Sequence, residues 1–158
     1  MLKILILLTF VYSCGYTSLY EEMKSDLEIN IISMEGDFEI NNFIKNNLRI
    51  SSNNESTNIH IISFKSEFKK IVLAKNATGE ATDYNLEMIV KFKITSSNNK
   101  ELEFKENFKI KKNSDNFEQS NYEKDIKRNF SKMVQEKLIL NLIKISDIKS
   151  FEIKKINL

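Results

Sequence analysis

The chain has 158 residues, three glycines, no proline and a single cysteine, which suits one domain and excludes any disulfide within the chain. Lys and Arg number 24 against 22 Asp and Glu, and a net charge of +2 argues against a dedicated nucleic-acid binder, which would concentrate basic charge. Hydrophobic residues make up 41% and recur at regular spacings, so the pattern is not that of a disordered chain.

Lys3 gives a short basic start, and Ile4 to Tyr12 form an apolar run about half as long as the roughly 20 residues that a membrane-spanning helix needs. A short apolar run behind a basic start reads as an export signal and is set aside from the fold. The run ends in Val11-Tyr12-Ser13-Cys14-Gly15. This resembles the lipobox of bacterial lipoproteins, with an aliphatic residue three before the cysteine and a small one just before it. By that resemblance residues 1–13 are removed after Ser13, the Cys14 thiol is joined to diacylglycerol and its new amine is acylated. Two or more chains hold a protein stably, where one gives only marginal binding. The plain alternative is a secreted protein whose cysteine falls there by chance.

Residues 14–25 show no period and read as a tether, which leaves 26–158 as a single domain. Asp26 to Ile32 alternates with Leu27, Ile29 and Ile31 on one face, as a strand does. Asp37 can cap a helix in which Phe38, Ile40, Phe43, Ile44 and Leu48 recur at three and four residues. Ser51 to Ser56 is a loop. Asn58 to Lys75 is strand-like, but Ile59 and Ile61 have one parity and Ile62, Phe64 and Phe68 the other, so a bulge or bend is expected between them. Asn76 to Glu80 reads as a hairpin loop with Gly79 free to take a positive φ.

The clearest strand is Thr82 to Thr95, with Tyr84, Leu86, Met88, Val90, Phe92 and Ile94 on one side and polar residues on the other, apart from Ile89. Ser96 to Asn99 turns the chain, and Leu102, Phe104, Phe108 and Ile110 repeat the alternation. Ser120 and Glu123 match a capping box, which predicts a helix of about 25 residues. Its apolar stripe runs from Tyr122 through Ile126, Phe130, Met133, Val134, Leu138, Leu142 and Ile145. The tail from Ser146 reads either as a continuation of that helix or as an extended segment. The expected fold is α+β: a two-layer sandwich of about four mostly antiparallel strands with two helices on one face.

Catalytic chemistry is not evident. His60 is the only histidine and lies in an expected strand, where packing is the ordinary role. Gly15, Gly36 and Gly79 build no phosphate loop, and no spacing fits a zinc site or a nucleophile elbow. No enzyme activity and no cofactor beyond the lipid on Cys14 are expected. The one candidate surface is the wet side of the sheet, where Lys91, Lys93, Lys105 and Lys109 can meet phosphate groups such as those of lipopolysaccharide. Glu87, Glu101, Glu103 and Glu106 interleave with these lysines, so a solvated, screened face is the competing reading.

The layout also carries a family resemblance. Cys14-Gly15-Tyr16 leads into strand-helix-strand. Then come Leu73 to Lys75, a turn with Gly79, Asp83-Tyr84-Asn85-Leu86, and the strand Glu87 to Ile94 before a final amphipathic helix. Over essentially the whole mature chain this resembles the outer-membrane lipopolysaccharide-assembly lipoprotein family LptE, with lysine and asparagine where arginine is usual and a short segment from Lys111 to Gln119. The resemblance implies a non-catalytic lipoprotein held on the periplasmic side of the outer membrane. It also implies complex formation with an LptD-type β-barrel and assistance in delivering lipopolysaccharide. Gly15, in place of the aspartate that retains lipoproteins at the inner membrane, agrees with that location. The alternatives are an auxiliary lipoprotein of an ABC-type lipid transporter and a pilot lipoprotein of another outer-membrane pore.

Overall fold

Alternation builds the sheet and helical spacing builds its cover. The computed structural model describes residues 27–51, 58–95 and 99–156. Strand β1 (Leu27–Gly36) leads to helix α1 (Phe38–Ser51). Strands β2 (Asn58–Lys75), β3 (Ala81–Thr95) and β4 (Lys100–Lys111) follow, and helix α2 (Asn116–Ile156) comes last. The strands form one sheet in the order β1-β2-β3-β4. β1 and β2 are parallel because α1 returns the chain to the end where β1 began; the short connections on either side of β3 give antiparallel pairs. This is the expected α+β sandwich.

One core fills the space between the layers. β3 lies second from the edge and contributes Leu86, Met88, Val90, Phe92 and Ile94, all buried. Phe92 stacks at a tilt on Phe64 of β2, 5.1 Å between ring centres, and meets Phe104 of β4 edge-on at 5.9 Å. From above come Ile40, Ile44 and Leu48 of α1 and Phe130, Val134, Leu138, Ile139 and Leu142 of α2. Each such side chain contributes on the order of 1.5–3 kcal/mol relative to exposure.

Both chain reversals at glycine are specific. Gly79, at φ +86, closes the β2–β3 loop, where Asn76 Oδ1 accepts the Thr78 and Glu80 amides at 3.1 and 2.9 Å. Gly36, at φ +97, ends β1 so close to β2 that a Cβ there would sit 1.7 Å from the Ser66 carbonyl oxygen.

Three expectations are corrected, and the open reading of the tail is decided. No bulge separates Ile61 from Ile62: the β2–β3 register runs unbroken from Ile61 to Val72. Ile59 and Ile61 simply point away from the helices, and His60 and Ser66 fill buried positions on the inner side. The irregularities lie at Ile32 of β1 and near Leu73 of β2. Helix α2 starts before Ser120, because Asp115 Oδ1 takes the Phe117 and Glu118 amides at 2.7 and 3.2 Å, and Asn113 holds the approach by accepting the Asp115 amide at 3.1 Å. Tyr122, expected at the head of the apolar stripe, is exposed; burial starts with Ile126. The backbone of α2 continues to Ile156, so the tail is helical up to there. The export signal, Cys14, the tether and the loops at 52–57 and 96–98 lie outside the described residues.

Candidate functional site: the helix-free face of the sheet

Period-two alternation sends the even-numbered residues of β2 to β4 under the helices and the odd-numbered ones to the opposite face. Lys91, Lys93, Lys105 and Lys109 therefore share one exposed surface. Cross-strand neighbours divide them. Lys91 meets Glu103 at 3.1 Å and Lys105 meets Glu87 at 3.1 Å. Lys69 is also within 3.8 Å of Glu87. Lys93 stands opposite Glu101 and Lys109 opposite Asn85, and neither makes an ion pair among the described residues. Such exposed pairs contribute about 0–1 kcal/mol each.

At the β1 side of this face an open depression of about 370 Å³ carries Lys65, Lys91 and Lys93 against Glu35, Glu101 and Glu103. Three cations and three anions cancel. The surface is thus polar and mixed rather than a uniform anion trap, and Lys93 is its least compensated cation.

The opposite layer holds a polar cluster that sequence reading missed. Asp37 caps α1, its Oδ1 accepting the Ile40 amide at 2.9 Å. Its other oxygen receives a hydrogen bond from Lys127 of α2 at 2.8 Å, and Lys127 also reaches Glu39 at 2.9 Å. The ammonium sits 4.0 Å from the centre of the Phe68 ring. Burial pulls the Lys127 pKa down, but the hydrogen bonds and charges of Asp37 and Glu39 outweigh it and leave the pKa above the ordinary 10.5. Beneath the cluster, the buried Ser66 hydroxyl lies 2.8 Å from Asn41 Oδ1, and Asn41 Nδ2 donates to the Glu35 carbonyl at 3.1 Å. Only the capping role of Asp37 carried a local signal; Lys127 is 90 residues further on.

His60 is buried against α2, its Nε2 3.0 Å from Ser146 Oγ. That hydroxyl also donates to the Leu142 carbonyl at 3.1 Å. No group of three or more His, Cys, Asp or Glu able to hold a metal ion occurs among the described residues. No described helix is long and apolar enough to cross a membrane.

No protein-family model and no curated protein matches the sequence. Solved structures do match the fold. Rare lipoprotein B from Shewanella oneidensis aligns over 74% of this chain and 99% of its own, with a TM-score of 0.55 and 11% identity. The chain has an LptE-like fold. A minor lipoprotein from Acinetobacter baumannii shares that fold, aligning over 74% of this chain and 92% of its own, with a TM-score of 0.51 and 12% identity.

Proposed function

We propose that this chain is a lipoprotein anchored through Cys14 on the periplasmic side of the outer membrane. There it complexes with an LptD-type β-barrel and assists lipopolysaccharide transport and assembly without catalysis. The observation that carries the reading is the LptE-like fold shared with rare lipoprotein B along nearly the whole of that protein. A fold does not by itself assign a role. The lipobox-like run ending at Cys14 supplies independent support for an envelope location. The helix-free face adds a third support, because a polar surface of balanced charge suits the polar interior of a wide barrel. On that face Lys91, Lys93, Lys105 and Lys109 are the proposed contacts to lipopolysaccharide phosphates. The proposed role is one of binding and needs no acid–base chemistry and no cofactor.

The test is a pull-down of the tagged full-length protein from detergent-solubilised envelopes, with a Cys14→Ser variant alongside. The expected outcome is a large β-barrel in roughly stoichiometric amount, with the variant released from membranes. Recovery of inner-membrane transporter subunits would overturn the barrel assignment in favour of an auxiliary lipoprotein. A Cys14→Ser protein that stays membrane-bound would remove the anchor.

A further inference from the structure

One end of the sheet gathers the starts of β1, β2 and β4 and the finish of β3. Leu27 pairs there with Asn58, Ile61 with Thr95 and Ile94 with Lys100. Both helices run toward it, α1 from Asp37 at the level of Ser66 and α2 from Lys127 near Asp37 to Ser146 beside His60. The chain that precedes Leu27 therefore enters at this end.

Three isoleucines lie open at the same end. Ile59 and Ile61 project from the helix-free face of β2 and are 56 and 36% exposed. Ile32, at the irregularity of β1 beside them, is 62% exposed. Around Ile61 stand Asn30, Ser33, Ser63 and Thr95, all uncharged, so taking Ile61 out of water strips no ion of its hydration. Glu28 beside Ile59 and Lys93 opposite Ser63 mark the border of this corner.

Position selects the occupant. From Cys14 to Leu27 the chain spans at most about 45 Å, and an unstructured chain of that length averages roughly 20 Å. Ile59 and Ile61 lie within about 10 Å of the paired start of β1 and β2, inside even the average span. The other exposed apolar stretch of β2, Ile71 to Leu73, lies about 43–50 Å along the strand. Standing on that stretch would hold Leu27 at the limit of its reach or beyond it. A surface tethered at short range acts at an effective concentration on the order of millimolar. A corner too small to capture a partner from solution therefore suffices for one already attached. We propose that Ile32, Ile59 and Ile61 seat in the headgroup layer of the bilayer that holds the Cys14 lipid, so that the domain stands on the end from which its tether leaves. This seating rests on the Cys14 anchor proposed above and is independent of any barrel or of lipopolysaccharide.

The chain has no tryptophan, so one introduced by substitution reports alone. Full-length Ile59→Trp and Leu73→Trp proteins, isolated from membranes with their own lipid, are placed in vesicles of phosphatidylethanolamine and phosphatidylglycerol, with and without bromine on the acyl chains. The Ile59→Trp emission is expected to shift to the blue and to be quenched by brominated lipid from a depth of about 5–10 Å. The Leu73→Trp emission is expected to stay that of a side chain in water. Adding Ile61→Ser to Ile59→Trp, with unchanged melting, is expected to weaken the quenching at least about twofold. Four results would overturn the proposal: aqueous emission at both positions in the anchored protein, equal quenching at both, a blue shift in Ile59→Trp that brominated lipid does not quench, or quenching that survives unchanged in Cys14→Ser. The second would mean a face lying flat and the third a cover of protein. The first three leave the anchor standing, and the fourth removes the anchor as well.

Discussion

Gly36 and Gly79 both adopt positive φ, yet they differ in consequence. At Gly79 an added Cβ meets nothing within 4 Å, so Gly79→Ala is expected to cost only the backbone strain of about 1–2 kcal/mol. At Gly36 the same atom would overlap the Ser66 carbonyl, so β1 and β2 would have to separate. Gly36→Ala is expected to cost at least about 3 kcal/mol, read as the denaturation midpoint. Equal losses at the two sites would refute the close approach. Lys127 makes a second prediction at this scale. Its folded pKa is raised above the unfolded one, so its contribution to stability is complete below about pH 10.5 and is lost as pH climbs through the folded value. Asp37→Asn keeps a good cap and removes the nearer counter-charge, so it is expected to destabilise by about 1–3 kcal/mol at neutral pH. The variant should also show a smaller further loss as pH climbs past about 10.5; an identical alkaline profile would count against the pairing. The cap was legible, because Asp37 precedes an apolar helical pattern. Its partner was not, since nothing local in the sequence marks which distant lysine will be buried.

At the scale of elements, period-two alternation revealed β3 and β4 because each strand has one dry and one wet side. β2 was harder to read. Its dry side includes His60 and Ser66, polar residues that meet Ser146 and Asn41, while Ile59 and Ile61 lie on the wet side. A hydrophobicity pattern inverted in this way imitates a bulge. The start of α2 was misplaced for a related reason. Asp115 and Glu118 form the same kind of motif as Ser120 and Glu123, and the Asn113 contacts that favour the earlier one lie in a loop with no periodic signature. Removing the two candidate caps separately distinguishes them: Asp115→Ala is expected to cost about 1 kcal/mol, and Ser120→Ala within about 0.5 kcal/mol of nothing. The reverse order by thermal melting would restore the later start.

For the whole molecule, the sandwich was readable from the order of elements, and the four candidate lysines do fall on one face. What no alternation pattern conveys is compensation. Lys91 and Lys105 have a glutamate at 3.1 Å, whereas Lys93 and Lys109 have none among the described residues. If this face meets lipid phosphates, Lys93→Gln with Lys109→Gln is expected to weaken lipopolysaccharide binding by about tenfold with stability changed by less than about 0.5 kcal/mol. Unchanged binding would sink the contact proposal and leave a solvated face.

The ion pair joining the two helices also imposes an order in time. β2, β3 and β4 follow one another through short reversals and can zip together as soon as they are made. The capped end of α1 must wait, because the ammonium that completes it arrives 90 residues after Asp37. During synthesis the capped end of α1 is therefore among the last parts of the described fold to become secure. Until α2 closes over them, Asp37 and Glu39 lack the ammonium that ties the start of α1 to the rest of the fold.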